Sequence, residues 1–279
     1  MDWVEALNKA IDYIEENLLD EITCSKIAQH AYVSNAHLQR GFYCLTGLTI
    51  NEYVRNRRLS QAGHELATEN AKVIDVALKY GYETPESFSK AFTRFHGTTP
   101  TQAKHNGVNI KSYNRLTVKI IMEGGSVMDY RIEKKEGFDV IVKAKIFGDD
   151  STVAIPAFWD EYFSQNLGDI VPPDLGVCGE VKNGGKEFSY GIGCFANKIN
   201  GIPDGFEKWT IPAYTWAVFK CVGAMPGAIQ SMWKRIYNEW LPQAKYEIAP
   251  SYDFEYYTEG DNSSPDYISE IWVPVNEKK

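Results

Sequence analysis

Two strand-like runs near the end of the chain, SYDFEYY and YISEIWVPV, set carboxylates among aromatic rings. Strand alternation puts Glu255 on one face with Tyr257, and Glu270 on one face with Trp272. A carboxylate so placed attracts a cation by charge, and each good ring contact adds about 0.5 to 2 kcal/mol of cation–π attraction. Glu270 is the first choice, because it interrupts an otherwise apolar strand where an unpaired buried acid is costly. The alternative puts it on the solvent side of a half-exposed sheet. Tyr214 and Trp233 supply further rings in the same half, with helix-to-sheet packing as the competing role for Trp233 and for Trp159. Phe188 and Tyr190, in FSYGIGCF, supply an aromatic wall with no acid. The expected site is therefore a lopsided groove that prefers flat hydrophobic cations to anions.

Catalytic groups are scarce in the same region. No histidine follows His105, which removes the commonest general base, and no GxSxG, HExxH, P-loop or dinucleotide fingerprint occurs. NGGKEFSYGIG lacks phosphate-loop spacing and reads as a hairpin turn. Cys24, Cys44, Cys178, Cys194 and Cys221 are far apart, with no CxxC pair and no nearby histidine at ligand spacing. They are expected as reduced, partly buried thiols, and no metal or cofactor is expected.

These residues need elements to hold them. At 279 residues the chain is comfortable for two domains, each with its own core. No apolar run is long enough for a membrane span, and the acidic start is unlike a signal peptide, so a cytoplasmic protein is expected. The net charge of -8 hides a local pattern: residues 22 to 107 hold ten Lys or Arg against six acids, and all five histidines fall before residue 107. Up to about residue 105 the apolar spacing is helical, with Thr23, Ser34 and Thr84 as N-caps. Beyond it the texture is β-branched and aromatic. GFDVIVKAKIF leads to one helical window and PAYTWAVFKCV to another, with Trp159 and Trp233 in matching places at an offset of about seventy-five residues. The expected class is α+β. An all-α tandem helix-turn-helix domain covers 1–107 and a linker 108–126. A duplicated strand-strand-helix-strand-strand antiparallel domain covers 127–279, with both helices on one side of its sheet.

A helix-turn-helix needs a supporting helix, a tight turn and a second helix whose outer side chains enter the major groove of DNA. Residues 23 to 44 have this form: Leu38 and Phe42 hold the second helix down, while Ala36, Gln39, Arg40 and Tyr43 share its outer face. Residues 72 to 96 repeat it, with Gly81 at the turn, Phe88, Phe92 and Phe95 inward, and Glu86, Ser89, Lys90 and Arg94 outward.

The HLQRGF core, the YVRNRRL helix, the turn AxxYGY and the ending FSKAFxRFxGxTP resemble the DNA-binding domain of AraC/XylS-type transcription regulators. Its leading position resembles the subgroup with a C-terminal GyrI-like effector-binding domain, a likeness that residues 127 to 275 support through their duplicated unit and the SEIWVPV run. The resemblance implies a regulator that binds promoter DNA and a small-molecule effector of the multidrug type, and that meets RNA polymerase. It agrees with the outward geometry on Ala36, Gln39 and Arg40 as base readers, with Glu86, Ser89 and Lys90 at the matching positions of the second helix. Arg40 suits guanine, Gln39 adenine and Ala36 a thymine methyl, whereas an acid such as Glu86 also repels phosphate. Arg55, Arg57, Arg58, Arg94 and Lys104 are either phosphate contacts or ordinary solvated charges. Some GyrI-like domains resemble scavengers or hydrolases that use a Trp-and-acid groove, and Glu270 with Trp272 keeps that alternative open.

Overall fold

The structure is a computed structural model that describes residues 3–69, 71–105, 107–118, 127–148, 151–182, 187–249 and 252–278. Its first part is helical: α1 (Trp3–Glu16), α2 (Cys24–His30), α3 (Asn35–Thr46), α4 (Ile50–Thr68), α5 (Val73–Lys79), α6 (Pro85–His96) and the short α7 (Pro100–Ala103). The expected caps are in place. Thr23 accepts from the Lys26 amide, Ser34 from the His37 amide and Thr84 from the Ser87 amide, each satisfying a donor that the first helical turn leaves free. Tyr32 at φ 56° turns the chain in the first helix-turn-helix, as Gly81 at φ 83° does in the second.

The second part holds β1 (Tyr130–Lys135), β2 (Phe138–Phe147), α8 (Ser151–Ser164), β3 (Leu175–Lys182) and β4 (Glu187–Phe195). Then come β5 (Glu207–Ile211), β6 (Tyr214–Val222), α9 (Gly227–Arg235) with a π-helical turn over Ile236–Trp240, β7 (Tyr246–Ile248), β8 (Asp253–Tyr257) and β9 (Ile268–Glu277). Among the described residues the strands run β1-β6-β9-β8-β3-β4-β2-β5, with β7 beside β9, and all pairings are antiparallel. Exchanging the two copies reverses this order onto itself, so a pseudo-twofold axis passes between β3 and β8. Each copy lends its first strand to the other, β1 to β6 and β5 to β2. The turn within NGGKEFSYGIG falls on residues 183–186, outside the described residues.

Both helices pack on one sheet face, α9 over Phe219, Ile271 and Val273, and α8 over Phe147, Phe188 and Ile192. The other face curls on itself until Phe138 of β2 meets Trp216 of β6, their ring centres 6.4 Å apart.

The helical part has two unlike cores. Phe88, Phe92, Tyr80, Leu59 and Leu66 form a separate cluster under α6. By contrast, Trp3, Ile11, Ile27, Phe42 and Tyr53 belong to one cluster with Trp233, Ile236, Tyr237 and Ile271 of the sheet domain. The described part of the expected linker, residues 108–118, is pinned along the helices: the Lys111 amide donates to His96 Nδ1, Tyr113 to Ser60 Oγ and Leu116 to the Tyr53 hydroxyl. Residues 119–126 lie outside the described residues.

Gly41 permits the close fit of α3 to both neighbours. A Cβ there would sit 2.9 Å from the Tyr237 ring and closer still to the buried Trp3 indole. Gly41→Ala should therefore destabilise the chain by about 1 to 3 kcal/mol despite alanine's better helix propensity, measured by urea unfolding.

Candidate functional site

A groove of about 1090 Å³ opens between α8 and α9, floored by β3, β4 and β8 and closed on one side by α3. Each helix contributes a tryptophan whose indole N–H is committed to the floor. Trp159 donates to the Tyr190 hydroxyl at 3.0 Å, and Trp233 donates to Glu255 Oε1 at 2.7 Å. Tyr257 donates to the other Glu255 oxygen at 2.6 Å, and its ring meets Trp159 edge-on at 5.3 Å. Burial, and then the Glu255 charge, raises the Tyr190 and Tyr257 hydroxyl pKa values well above normal, so both stay protonated. Gly176 leaves room for this floor, since a Cβ there would meet the Trp159 ring at 3.1 Å and run into the Tyr190 hydroxyl.

The structure thus gathers Glu255, Tyr257, Trp233, Phe188 and Tyr190 into one groove, which Asp160, Asp174, Lys234 and Glu259 also line. It separates Glu270, Trp272 and Tyr214 from it. Glu270 lies with Trp272 on the opposite sheet face, where it accepts from Arg131 of β1 at 2.7 Å and from the Trp272 indole at 2.9 Å. The reading of Glu270 as the groove acid is therefore corrected. Alternation pairs it with Trp272 as expected, but its cation is the chain's own Arg131. Tyr214 stands edge-on to Trp216, also away from the groove.

Trp159, for which packing is the competing role in the sequence, lines the groove. Asp253, which the sequence reading does not name, lies behind Arg40 at its edge, although alternation in SYDFEYY places Asp253, Glu255 and Tyr257 on one face. Asp253 is 2% exposed and binds Arg40 of α3, Nη1 to Oδ1 at 2.7 Å. The Arg40 guanidinium also lies 4.1 Å from the centre of the Trp233 ring. Gln39 donates to the Gly148 carbonyl at 3.3 Å and accepts from Ser151 Oγ at 2.8 Å. Ala36 packs with Phe147 and Phe158.

The outer face of α3 is consequently not open, as the helix-turn-helix reading expected. Ala36 is 7% and Gln39 5% exposed, because the sheet domain covers them. On α6 the matching face is free: Glu86, Lys90 and Arg94 are exposed and Ser89 is half-buried. Among the other candidate cations, Arg55 is exposed and Lys104 half-buried at the end of α7. Arg58 is corrected to an internal tie, donating to the carbonyls of Leu18 and Asp20 at 2.7 Å each. Arg57 likewise pairs with Glu15 at 2.6 Å. No group of His, Cys, Asp and Glu able to hold a metal occurs among the described residues.

Comparison with known proteins places this geometry. Residues 131–275 match the family described as integron-associated effector binding protein, and residues 27–106 match a helix-turn-helix domain. The HTH-type transcriptional activator AarP of Providencia stuartii is 39% identical over 95 residues, 34% of this chain and 70% of its own length. The regulatory protein SoxS of Salmonella typhimurium is 31% identical over 105 residues, 38% of this chain and 98% of its own. Among solved structures, SAV2435 bound to tetraphenylphosphonium aligns over 53% of this chain and 94% of its own, at a TM-score of 0.47 and 22% identity.

The contact between α3 and the sheet domain holds a buried histidine. His37 is buried with Nδ1 3.2 Å from the Tyr237 hydroxyl and Nε2 3.6 Å from Asp253 Oδ2. Burial, aided by Arg40 and opposed by Asp253, lowers its pKa to about 4. The folded state resists protonation that the unfolded chain accepts near its ordinary value of about 6.5, so stability falls as pH drops between those two values and levels below them. Between pH 7 and pH 5 the loss should be about 2 kcal/mol greater than in His37→Gln, measured by urea unfolding of both proteins.

Proposed function

The chain belongs to the AraC-type helix-turn-helix transcription regulators that carry an integron-associated effector-binding domain, and we propose that its effector is a hydrophobic cation held in the groove beside Glu255. The observation that supports this is the Glu255 carboxylate fixed between the Trp233 indole and the Tyr257 hydroxyl, in a cavity that the rings of Trp159, Phe163, Phe188 and Tyr190 also line. Such a site offers a carboxylate held in place and several π faces, which rewards charge sign over detailed shape. The role is binding and release without turnover. The alternative of a hydrolase built on Glu270 with Trp272 loses its acid, because Glu270 is paired with Arg131 outside the groove.

On the DNA side, α6 presents Glu86, Ser89 and Lys90 to bases, with Arg94, Arg55 and Lys104 on phosphates. Ala36, Gln39 and Arg40 of α3 are the readers of a second, adjacent major groove. The setting is a promoter in the cytoplasm, with RNA polymerase as the partner that the regulator assists. No helix among the described residues is long and apolar enough to cross a membrane.

The effector reading is checked with tetraphenylphosphonium, the cation in SAV2435, against tetraphenylborate, an anion of the same size. The full chain should bind the cation more tightly by tryptophan quenching, and Glu255→Gln should cost the cation more than about 1 kcal/mol without weakening the anion. Equal losses for both ions would remove Glu255 from the site. For DNA, Arg94→Ala should lower affinity for all duplexes alike and flatten the salt slope by about one unit, while Lys90→Ala should relax preference at one base pair. Anisotropy titrations across salt concentrations and duplex sequences separate the two outcomes.

A further inference from the structure

Asp253 is a buried acid that the effector reading leaves unused, lying behind Arg40, which lines the groove. Its Oδ1 is paired with Arg40, while its Oδ2 has no hydrogen-bond partner among the described residues. The His37 Nε2 atom 3.6 Å away is likewise without one. A buried carboxylate is costly unless a cation answers it. Here the sheet domain supplies the acid and the ring beneath the cation, and the cation itself comes from the helix expected to read DNA. The arrangement of guanidinium, carboxylate and Trp233 face is what a small-molecule cation would meet in the same place.

We propose that Asp253 and the Trp233 ring form a second cation subsite beside Glu255, for a guanidinium or ammonium-like group, and that Arg40 is its tethered occupant in this state. The inference rests on reading the groove as a cation site. Arg40 cannot lie on Asp253 and on a base edge at once, and docked α3 also hides Ala36 and Gln39. A cation entering the subsite must displace Arg40, whose like charge also repels it. Effector and DNA therefore compete with the same intramolecular contact, and by linkage each favours binding of the other. The predicted sign is that a hydrophobic cation raises DNA affinity.

The test uses the full chain with tetraphenylphosphonium as probe. Arg40→Ala should tighten cation binding at least threefold and leave tetraphenylborate unimproved. Adding Asp253→Asn to Arg40→Ala should then weaken cation binding again. Hydrogen exchange of the α3 amides should quicken at least tenfold when the cation saturates the wild-type chain. A loss of cation affinity in Arg40→Ala, or slower α3 exchange with ligand, would overturn the proposal, because Arg40 would then be a wall of the site and not its occupant. If neither wild type nor Arg40→Ala binds the cation, the subsite fails together with the effector reading. If both bind it and Glu255→Gln alone reduces binding, the effector reading stands and only the Asp253 subsite falls. Thermal melts identify variants that fail to fold. Ser151→Ala, which removes one of the two bonds that tie Gln39 to the sheet domain, serves as a milder release of α3 and should also quicken its exchange.

Discussion

A carboxylate buried at the centre of a sheet must be given a cation, and the way the two parts of this chain meet is organised around supplying one to Asp253. Arg40 reaches it from α3 at 2.7 Å while lying over the Trp233 ring. That position requires α3 to sit across both α8 and α9, which in turn requires Gly41 to let the helix approach Trp3 and Tyr237. The Gln39–Ser151 bond fixes the helix at a second point. Removing one partner of a buried pair typically costs about 3 to 5 kcal/mol, since the other charge is left uncompensated. The interface is thus held by its polar centre as well as by its apolar area.

The same groove shows how a duplicated unit acquires two unlike halves. Two copies of one unit place equivalent tryptophans on facing helices, and both commit their indole N–H to the sheet. In one half the acceptor is the neutral Tyr190 hydroxyl on β4, in the other the Glu255 carboxylate on β8. The backbone symmetry gives a wide cavity on the axis, and the broken side-chain symmetry gives it a sign. Exchange of the first strands, β1 and β5, ties the copies together, so neither half of the groove can open without disturbing the other.

Much of this was legible from residue patterns. The caps at Thr23, Ser34 and Thr84 follow from short hydroxyl side chains before helical periodicity, and the structure uses each of them. The duplicated unit followed from strand texture and the matching tryptophans. What periodicity could not supply was the environment beyond each element. Period-two alternation pairs Glu270 with Trp272 and Glu255 with Tyr257 equally well, but only the packing of α8 and α9 decides which pair faces the groove. The outer face of α3 read as outward because it points away from its own domain, and a second domain is invisible to that argument. Arg58 was ambiguous for the same reason, since its two carbonyl partners on Leu18 and Asp20 are set by the docking of α1 and not by local sequence.

The two helix-turn-helix units consequently differ in independence, although their sequences repeat. α6 is held by its own cluster of Phe88, Phe92 and Tyr80, with its polar face exposed. α3 shares its core with α9 and with strands β6 and β9. Between them α4 is anchored at its middle by Arg57 and Tyr53 to Glu15, so the spacing of the two units is fixed by α1 and α4 and not by the groove. The polar face of α6 is therefore exposed, and the matching face of α3 is covered at Ala36 and Gln39. The free energy of uncovering that face is the free energy of lifting α3 from Asp253, Trp233 and Ser151, which ties it to the groove that the same helix lines.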